Sequence, residues 1–286
     1  MLTLLFDGIA YGMLLFILAV GLAVTLGLMN FINLAHGAFA MAGGYVTVLL
    51  MNRADVPFVA CLVIAFFVTA LVGAVLERTL YRPMYARPHL DQVLFSIGLV
   101  FIAVTAVDYF VGSMQQNIRL PEWLQGRLPI EAVGIGKYRL FIVVVCALLT
   151  VLLQWVLSRT RFGSRLRAAV DDPRTAAGLG LDVDRIFLAT FAVGSGLAGL
   201  GGALGAEVLG LDPTFPLKFM IYFLIVVSVG GTTTITGPLL AALLLGIADV
   251  AGKYYIPKLG AFIVYTLMIA ILLWRPQGLF ARTATR

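Results

Sequence analysis

Charged residues are scarce in this sequence of 286 residues: Asp, Glu, Lys and Arg make up 12% of it, whereas hydrophobic residues make up 61%. A soluble domain carries about twice that charged fraction. Apolar runs of about 17–25 residues recur from end to end, each long enough to cross a hydrocarbon core about 30 Å thick. Because these runs do not alternate apolar with polar residues, helices are favoured over a barrel. The sequence therefore predicts an all-α polytopic membrane protein.

Cysteine and histidine are also scarce, with two residues of each. Cys61 and Cys146 lie far apart inside apolar runs, which favours buried small hydrophobic residues over a disulfide or a metal site. His36 and His89 have no second ligand and no nucleophile nearby in the sequence. An intramembrane hydrolase is therefore disfavoured, and no catalytic residue, metal or cofactor is predicted.

The net charge of +6 comes from short loops between apolar runs rather than from a nucleic-acid-binding surface. Three regions hold twelve of the twenty Lys and Arg residues: 77–92, 158–185 and the tail after Trp274. The positive-inside rule places all three in the cytoplasm. No nucleic-acid partner is predicted, and the lipid bilayer is the expected environment.

Nine apolar segments are predicted, and they lie at about 4–29, 37–51, 57–76, 93–112, 140–157, 186–206, 219–231, 237–250 and 259–274. An even number of segments separates each pair of basic regions, so all three fall on one side, with the C-terminus in the cytoplasm. Segment 37–51 is short, about 22 Å as a helix. It is tilted, extended at its ends or re-entrant, which leaves eight or nine crossings. Residues 1–286 form a single membrane domain.

Two polar stretches interrupt the apolar pattern, NFINLAHG at 30–37 and GGTTTITG at 230–237. Each precedes a short apolar segment, which suggests a weak parallel internal repeat. Short, polar-interrupted segments in matching halves indicate the translocation site of a transporter. Asn33 has a second interpretation, as the N-cap of a helix over 34–51. The residues predicted to form the substrate pathway or gate are Asn30, Asn33, His36, Gly37, Ser96, Thr232, Thr233, Thr234 and Thr236.

The sequence contains no evident source of energy for transport. Ion-driven carriers keep a carboxylate or histidine near the bilayer centre, but Glu77, Glu207 and Asp249 lie at segment ends, and Asp108 is the deepest carboxylate in this interpretation. No P-loop is present; the nearest string, GIGK at 134–137, lacks the first glycine and the Ser or Thr. If ATP drives the protein, another chain binds it. The alternative is a stand-alone secondary carrier or facilitator for small amphipathic solutes such as amino acids, urea or amides.

The loop 158–185 is the most informative polar stretch. Asp172 and Pro173 are typical of a helix start, so a short helix is predicted from Pro173 to about Leu179. The length of the loop and its Ala and Gly content favour a docking element for a cytoplasmic partner over a basic loop that only fixes topology. The residues predicted to form this coupling loop are Arg165, Arg167, Ala168, Asp171, Asp172, Ala176, Ala177, Gly178 and Gly180.

The segment after this loop is crowded with small residues at four-residue spacing: Ser195/Gly199, Ala198/Gly202 and Gly201/Gly205. Such spacing lets a neighbouring helix approach closely. The alternative is a bent helix that lines the pathway.

Several blocks, in order along the chain, resemble the branched-chain amino-acid ABC transporter permease family. They are GLMNFINLAHGAFAMAGGY, ERTLYRPMYARPHLDQVLFSIGL, RTRFGSRLRAAVDDPRTAAGLGLDVDRIFLATFAVGSGLAGLGGAL and VGGTTTITGPLLAALLLG. The resemblance covers nearly the whole chain, and the length suits the smaller of the two permeases of such systems. Many importers carry Glu-Ala-Ala before the glycine of their docking motif, whereas this chain has Thr175-Ala176-Ala177-Gly178.

The resemblance implies a transport subunit that is not itself an enzyme. It implies a bacterial or archaeal inner membrane and four kinds of interaction: two cytoplasmic ABC ATPases, a second permease subunit, a periplasmic or extracellular substrate-binding protein and lipid. The ATPases would drive alternating access, and loop 158–185 would be the coupling element that they contact. The substrate implied is a branched-chain or related small amino acid.

Overall fold

Eleven α-helices make up most of the part of the chain that the structure describes. A computed structural model describes residues 1–29, 31–128, 134–231, 234–275 and 278–279. The helices are α1 (Leu2–Met29), α2 (His36–Ala54), α3 (Phe58–Leu76), α4 (His89–Val111), α5 (Lys137–Arg159), α6 (Arg161–Asp171), α7 (Pro173–Gly178), α8 (Val183–Leu209), α9 (Phe215–Gly230), α10 (Thr236–Tyr255) and α11 (Gly260–Trp274).

Nine of these helices coincide with the nine predicted apolar segments, which confirms the all-α polytopic membrane fold. Six are long and apolar enough to span a bilayer by length and composition: α1, α3, α4, α5, α8 and α10. α1 is the centre of the bundle, since residues 14–20 are fully buried and α10, α8, α5 and α9 pack around it. The two remaining helices, α6 and α7, are short and lie in the predicted coupling loop.

The close contacts of α8 fix the directions of the helices. On α1, Gly21 lies against Gly194 and Leu18 against Gly201, so α1 and α8 are antiparallel. α3 is also antiparallel to α8, because Thr69 contacts Gly199 whereas Gly73, further along α3, contacts Ser195. α1 and α3 are therefore parallel, and residues 30–57 must return across the bundle between them. A re-entrant 37–51 segment is thus excluded.

The helix α2 begins deep inside the bundle rather than at its surface. The Nε2 atom of His36, its first residue, donates a hydrogen bond to the carbonyl oxygen of Leu18 at 2.9 Å. Leu18 lies about 16 Å from the end of α1, at about 1.5 Å per residue. The segment 31–35 therefore climbs to mid-depth without helical structure. Irregular backbone at membrane depth is tolerated only where protein or a polar cavity surrounds it.

Glycines allow α2 to cross α8 at backbone contact, as the small-residue pattern predicts. A Cβ atom on Gly202 would lie 1.8 Å from the carbonyl oxygen of Ala40, and one on Gly43 would lie 2.1 Å from that of Gly199. α8 runs unbroken from Val183 to Leu209. Close packing accounts for the pattern, and a role of α8 in lining the pathway stays a prediction.

The two ends of the bundle differ in charge, and we call them the basic face and the opposite face. The basic face carries loop 77–92, α6, α7 and the start of the tail. Arg82 there forms an ion pair with Asp184, and the backbone N–H of Leu279 donates to the carbonyl of Val229 at 2.8 Å. The opposite face carries the N-terminus and the α4–α5 loop. The prediction that the basic loops share one side is therefore confirmed for the described residues.

Candidate functional site

The first polar break is held by a hydrogen bond from a distant tyrosine. Asn33 is 1% exposed, and its Oδ1 atom accepts a hydrogen bond from the Tyr81 hydroxyl at 3.1 Å. The helix α2 starts three residues later, with Ala35 at the N-cap position and no side-chain cap. The prediction that Asn33 caps this helix was therefore wrong, because its side chain is engaged by Tyr81 instead. The Nδ2 atom of Asn33 is buried without a hydrogen-bond partner among the described residues.

Tyr81 belongs to a π-helical turn, Glu77–Tyr81, that follows α3. Such turns are rare and are frequent at functional sites. The Phe31 ring packs edge-on against Tyr81 with centroids 5.5 Å apart, and Tyr81 packs on Phe191 of α8 at 4.6 Å. The break is therefore clamped between α3 and α8.

A second clamp comes from the start of α4. The Oε1 atom of Gln92 accepts a hydrogen bond from the backbone N–H of Ile32 at 3.3 Å, and its Nε2 atom donates to the carbonyl of Arg87 at 3.1 Å. Next to Tyr81, Arg82 pairs with Asp184 at the start of α8. Together these contacts connect the polar break to the base of α8, which directly follows the predicted coupling loop.

His36 and Gly37 attach the start of α2 to its neighbours. The His36 ring packs edge-on against Phe223 of α9, with centroids 6.3 Å apart, in addition to its bond to Leu18. A Cβ atom on Gly37 would lie 3.0 Å from the Cα of Pro216. Both residues are buried, so in this conformation they pack the bundle rather than face an open channel.

Of four other predicted pathway residues, only Ser96 lies in the described part of the chain. Ser96 is fully buried, and its hydroxyl donates to the carbonyl of Val93 in the same helix at 3.0 Å. Asn30, Thr232 and Thr233 lie outside the described residues.

The second break lies in a groove on the basic face. Thr234 and Thr236 are exposed there, and the Thr236 hydroxyl donates to Oγ1 of Thr234 at 3.3 Å. The groove has a volume of about 340 Å³ and is also lined by Val24 of α1, Gln154 of α5 and Arg167 of α6. The structure thus brings two predicted pathway residues together with one predicted coupling residue. Among the described residues of the two breaks, His36 reaches the middle of the bundle, whereas Thr234 and Thr236 are exposed.

The helix α6 packs one face on the bundle and leaves the other free. Leu166 and Ala169 are buried in a small apolar cluster with Ile186 of α8. A Cβ atom on Gly163 would lie 2.1 Å from the carbonyl oxygen of Leu157, so this glycine permits the close approach of α6 to the end of α5. The predicted coupling residues on α6 are all exposed, and they are Arg165, Arg167, Ala168 and Asp171.

The short helix α7 begins at Pro173, after an Asp172 cap, as the sequence predicted. Asp172 caps it by accepting hydrogen bonds from the backbone N–H groups of Arg174 and Thr175, at 3.0 and 3.1 Å. Hydrogen bonds from the hydroxyl and the backbone of Thr175 also lower the pKa of the Asp172 carboxyl below its ordinary value. The cap therefore stays ionised at neutral pH, and the charge favours the N-terminus of the helix.

The end of α7 presents small residues and one leucine to the outside. Ala176 is 3% exposed and faces inward, whereas Ala177, Gly178 and Gly180 are exposed. Leu179 projects between the two glycines and is 80% exposed. We call residues 177–180 the α7 tip. It is small and apolar, and nothing lies within 4 Å of a Cβ atom built on Gly178.

Sequence reasoning missed the residues that hold the first break in place. Tyr81 and Gln92 lie in the basic region 77–92, which the sequence indicated only as a cytoplasmic loop. A polar residue just after an apolar segment is most often an interfacial residue, so no local signal separated these from their neighbours. The clamp depends on contacts between segments that the sequence does not align.

Replacing Tyr81 with phenylalanine is expected to destabilise the protein by about 1–3 kcal/mol, the usual cost of leaving a buried polar group unpaired. The Asn33 amide would then make no side-chain hydrogen bond, because Oδ1 loses Tyr81 and Nδ2 has no partner among the described residues. Thermal unfolding in detergent or nanodiscs measures the effect, with Tyr109→Phe, at an exposed tyrosine, as the control. Adding Asn33→Leu should restore part of the stability, because no unpaired polar side chain then remains. Equal stability of Tyr81→Phe and wild type would refute the clamp.

Comparison with known proteins identifies the family. The family described as "Branched-chain amino acid transport system / permease component" matches residues 4–272. The high-affinity branched-chain amino acid transport system permease protein LivH of Escherichia coli (strain K12) is 28% identical over 97% of this chain and 94% of its own length. The corresponding protein BraD of Pseudomonas aeruginosa is 29% identical over 97% of this chain and 95% of its own.

A second kind of permease from the same type of transport system is also similar. LivM of Salmonella typhimurium is 27% identical over 95% of this chain but 68% of its own length. The chain therefore matches nearly the full length of LivH and BraD but about two thirds of LivM. No solved structure matches the chain. Because the family match spans nearly all the helices described above, the chain belongs to the branched-chain amino-acid transport permease family.

Proposed function

We propose that this protein is the transmembrane permease subunit of an ABC importer for branched-chain or related small amino acids. Separate ATPases drive its alternating access, and a substrate-binding protein delivers the solute to it. The observation that carries the proposal is the exposed α7 tip on the basic face, in a chain that belongs to this permease family and has no P-loop of its own.

The distribution of charge supports the orientation of this proposal. Among the described residues, ten of the eighteen basic and six of the thirteen acidic residues belong to the basic face, which therefore carries a net charge of +4. By the positive-inside rule this face is cytoplasmic. The protein then sits in a bacterial or archaeal inner membrane with its C-terminus in the cytoplasm, and α6 and α7 face soluble ATPases.

The α7 tip has the properties of a docking element. Ala176 anchors it inward, the Asp172 cap fixes its start, and Leu179 stands free at its end. Burying a leucine side chain stabilises a complex by about 1.5–3 kcal/mol. Two ATPases on a symmetric or nearly symmetric pair of permeases would each occupy one tip. The names of LivH and LivM indicate that the relatives work with a second, different permease, and we propose the same for this chain.

Contacts on the basic face provide a route from the docking element to the pathway. The predicted coupling residue Arg167 lines the same groove as Thr234 and Thr236. On the other side, Asp184 at the base of α8 pairs with Arg82, next to the tyrosine that holds Asn33. A movement of α6 and α7 on ATP binding would therefore reach both polar breaks through direct contacts. We propose that these breaks gate the substrate pathway.

Uptake of leucine, isoleucine or valine by cells is expected to require this chain together with an ATPase pair and a binding protein encoded with it. Deleting either partner should reduce uptake to the background of a strain that lacks the permease. The measurement is the initial rate of radiolabelled uptake, with membrane levels of the permease checked by immunoblot. Unchanged uptake without the ATPases would favour the stand-alone carrier instead.

A further inference from the structure

A small cavity near the opposite face contains two ion pairs that the proposed pathway does not use. It has a volume of about 200 Å³ and lies between α1, α5, α8 and α10. Asp7 of α1 forms an ion pair with Arg139 of α5. Asp249 of α10 forms one with Lys253, with Nζ and Oδ2 2.6 Å apart. Two carboxylates and two basic groups thus line one cavity.

In both ion pairs the carboxylate is much more buried than the basic group. The Asp249 side chain is 2% exposed and that of Asp7 is 19% exposed, whereas Arg139 and Lys253 are 44% and 53% exposed. Asp249 is therefore the most buried charged group of the cavity, whereas Arg139 and Lys253 are the most exposed.

In each carboxylate, one of the two oxygen atoms is not part of the ion pair. The Oδ1 atoms of Asp7 and Asp249 are buried and no described residue donates to them with hydrogen-bond geometry, although the Tyr222 hydroxyl lies near the Asp249 carboxylate. Buried carboxylate oxygens ordinarily have donors, because leaving them unpaired is costly. Two such oxygens in one cavity suit a ligand with several N–H donors, and an ammonium group has three.

The rest of the cavity wall is apolar. Its remaining described lining is aliphatic apart from Tyr11, and consists of Ala10, Leu14, Ile142, Val208 and Val250. Lys253 lies over the Tyr11 ring, with Nζ 5.7 Å from the ring centroid. An aliphatic side chain of a ligand would find hydrocarbon on several sides here, whereas a polar side chain would lose its water without replacement.

The cavity adjoins a larger cleft on the opposite face. This cleft has a volume of about 590 Å³ and shares Asp7, Arg139 and Val208 with the cavity. Exposed residues of the α4–α5 loop, including Gln125 and Arg127, also line it. A small solute can therefore reach Asp7 and Arg139 first and Asp249 afterwards.

We propose that this cavity is an outward-facing binding site for a free amino acid with an aliphatic side chain. The ammonium group is bound by the free oxygens of Asp7 and Asp249, the carboxylate by the more exposed Arg139 and Lys253, and the side chain by the aliphatic wall. The choice of an amino acid rests on the proposed function, whereas the recognition of an ammonium group rests on the cavity itself.

Binding of radiolabelled L-leucine to the full chain in nanodiscs, with its co-purifying subunits but without binding protein, tests the inference. Asp249→Asn is expected to weaken binding about tenfold or more, since a charge-assisted hydrogen bond contributes enough for such a change. The matched control is Asp55→Asn, at an exposed aspartate that does not line the cavity. Val250→Phe keeps every charge, narrows the cavity and should weaken binding as well.

Two leucine analogues test the site without any substitution. 4-Methylpentanoate lacks the ammonium group and should not compete with leucine at a hundredfold excess. Leucinamide keeps the ammonium group and should compete, but more weakly than leucine because it lacks the carboxylate. Competition by 4-methylpentanoate equal to that of leucine, wild-type affinity in both cavity variants, or no saturable leucine binding to the wild type would each overturn the inference. ATP-dependent uptake is measured separately and tests the proposed function. If a complex with Asp249→Asn takes up leucine at the wild-type rate, and with the wild-type dependence on leucine concentration, only the cavity is refuted.

Discussion

Replacing Gly178 with tryptophan is expected to abolish leucine uptake while leaving the membrane domain folded. Nothing lies within 4 Å of a Cβ atom built here, and the position is exposed, so a larger side chain can extend into solvent. In the complex it would occupy the surface against which an ATPase packs. Truncating Leu179 to alanine should weaken ATPase binding about tenfold or more, because the burial of a leucine side chain is lost. Co-purification of the ATPase and the initial rate of uptake measure both effects.

The control for Leu179→Ala is Leu90→Ala, which makes the same change at a leucine that is 68% exposed at the start of α4 and outside the coupling loop. It should leave ATPase binding unchanged. Ala176 is unsuitable for this test, because its side chain is buried and a bulky residue there would disturb the loop itself. ATPase binding and uptake at wild-type levels in both Gly178→Trp and Leu179→Ala would refute docking at the α7 tip.

Replacing Gly202 with alanine is expected to destabilise the bundle by about 2–3 kcal/mol, within the range found for overpacked cores. The added methyl group would lie 1.8 Å from the carbonyl oxygen of Ala40, which is backbone and cannot rotate away. α2 and α8 must therefore separate, and the start of α2 would lose its position beside Leu18. The loss should appear as a lower thermal midpoint and less monodisperse protein after extraction.

The same substitution at Gly98 of α4 provides the comparison, because nothing lies within 4 Å of a Cβ atom there. Alanine in a helix interior is more favourable than glycine by about 0.5–1 kcal/mol. Gly98→Ala should therefore be as stable as the wild type or more stable. If Gly202→Ala were equally stable, the close crossing of α2 and α8 would be wrong.

Features set by neighbouring residues could be predicted from the sequence. The nine apolar segments became nine helices because a lipid-exposed backbone must satisfy its hydrogen bonds within each segment. The start of α7 was predicted correctly, since Asp172 and Pro173 act on the next three residues. The close packing of α8 also followed from the spacing of its small residues.

Features set by distant contacts could not be predicted. Asn33 has the residue type and position of an N-cap, but Tyr81, 48 residues away, engages its side chain. The depth at which α2 begins depends on the bond of His36 to Leu18, which no local pattern indicates. The pathway role of the two breaks stays a prediction.

Which carboxylates are buried also depends on distant contacts and could not be predicted from the sequence. Asp108 lies deepest along its apolar segment in the sequence, and it is exposed on the surface of the bundle, whereas Glu77 and Asp249 are 2% exposed. Position along a segment therefore does not show which carboxylates are buried inside the bundle. Here Asp249 is covered by α1 and its neighbours, and Glu77 accepts a hydrogen bond from Tyr85 at 3.0 Å in the loop that follows.

The central claim, that this chain moves amino acids only when separate ATPases drive it, is tested most directly in proteoliposomes. These should contain the permeases and ATPases, with ATP at the ATPase side and leucine-loaded binding protein at the other. The initial rate of leucine uptake should fall to background when the ATPases are replaced by variants that bind but do not hydrolyse ATP. Uptake that persists with those variants, or that an ion gradient drives in vesicles of this chain alone, would contradict the account.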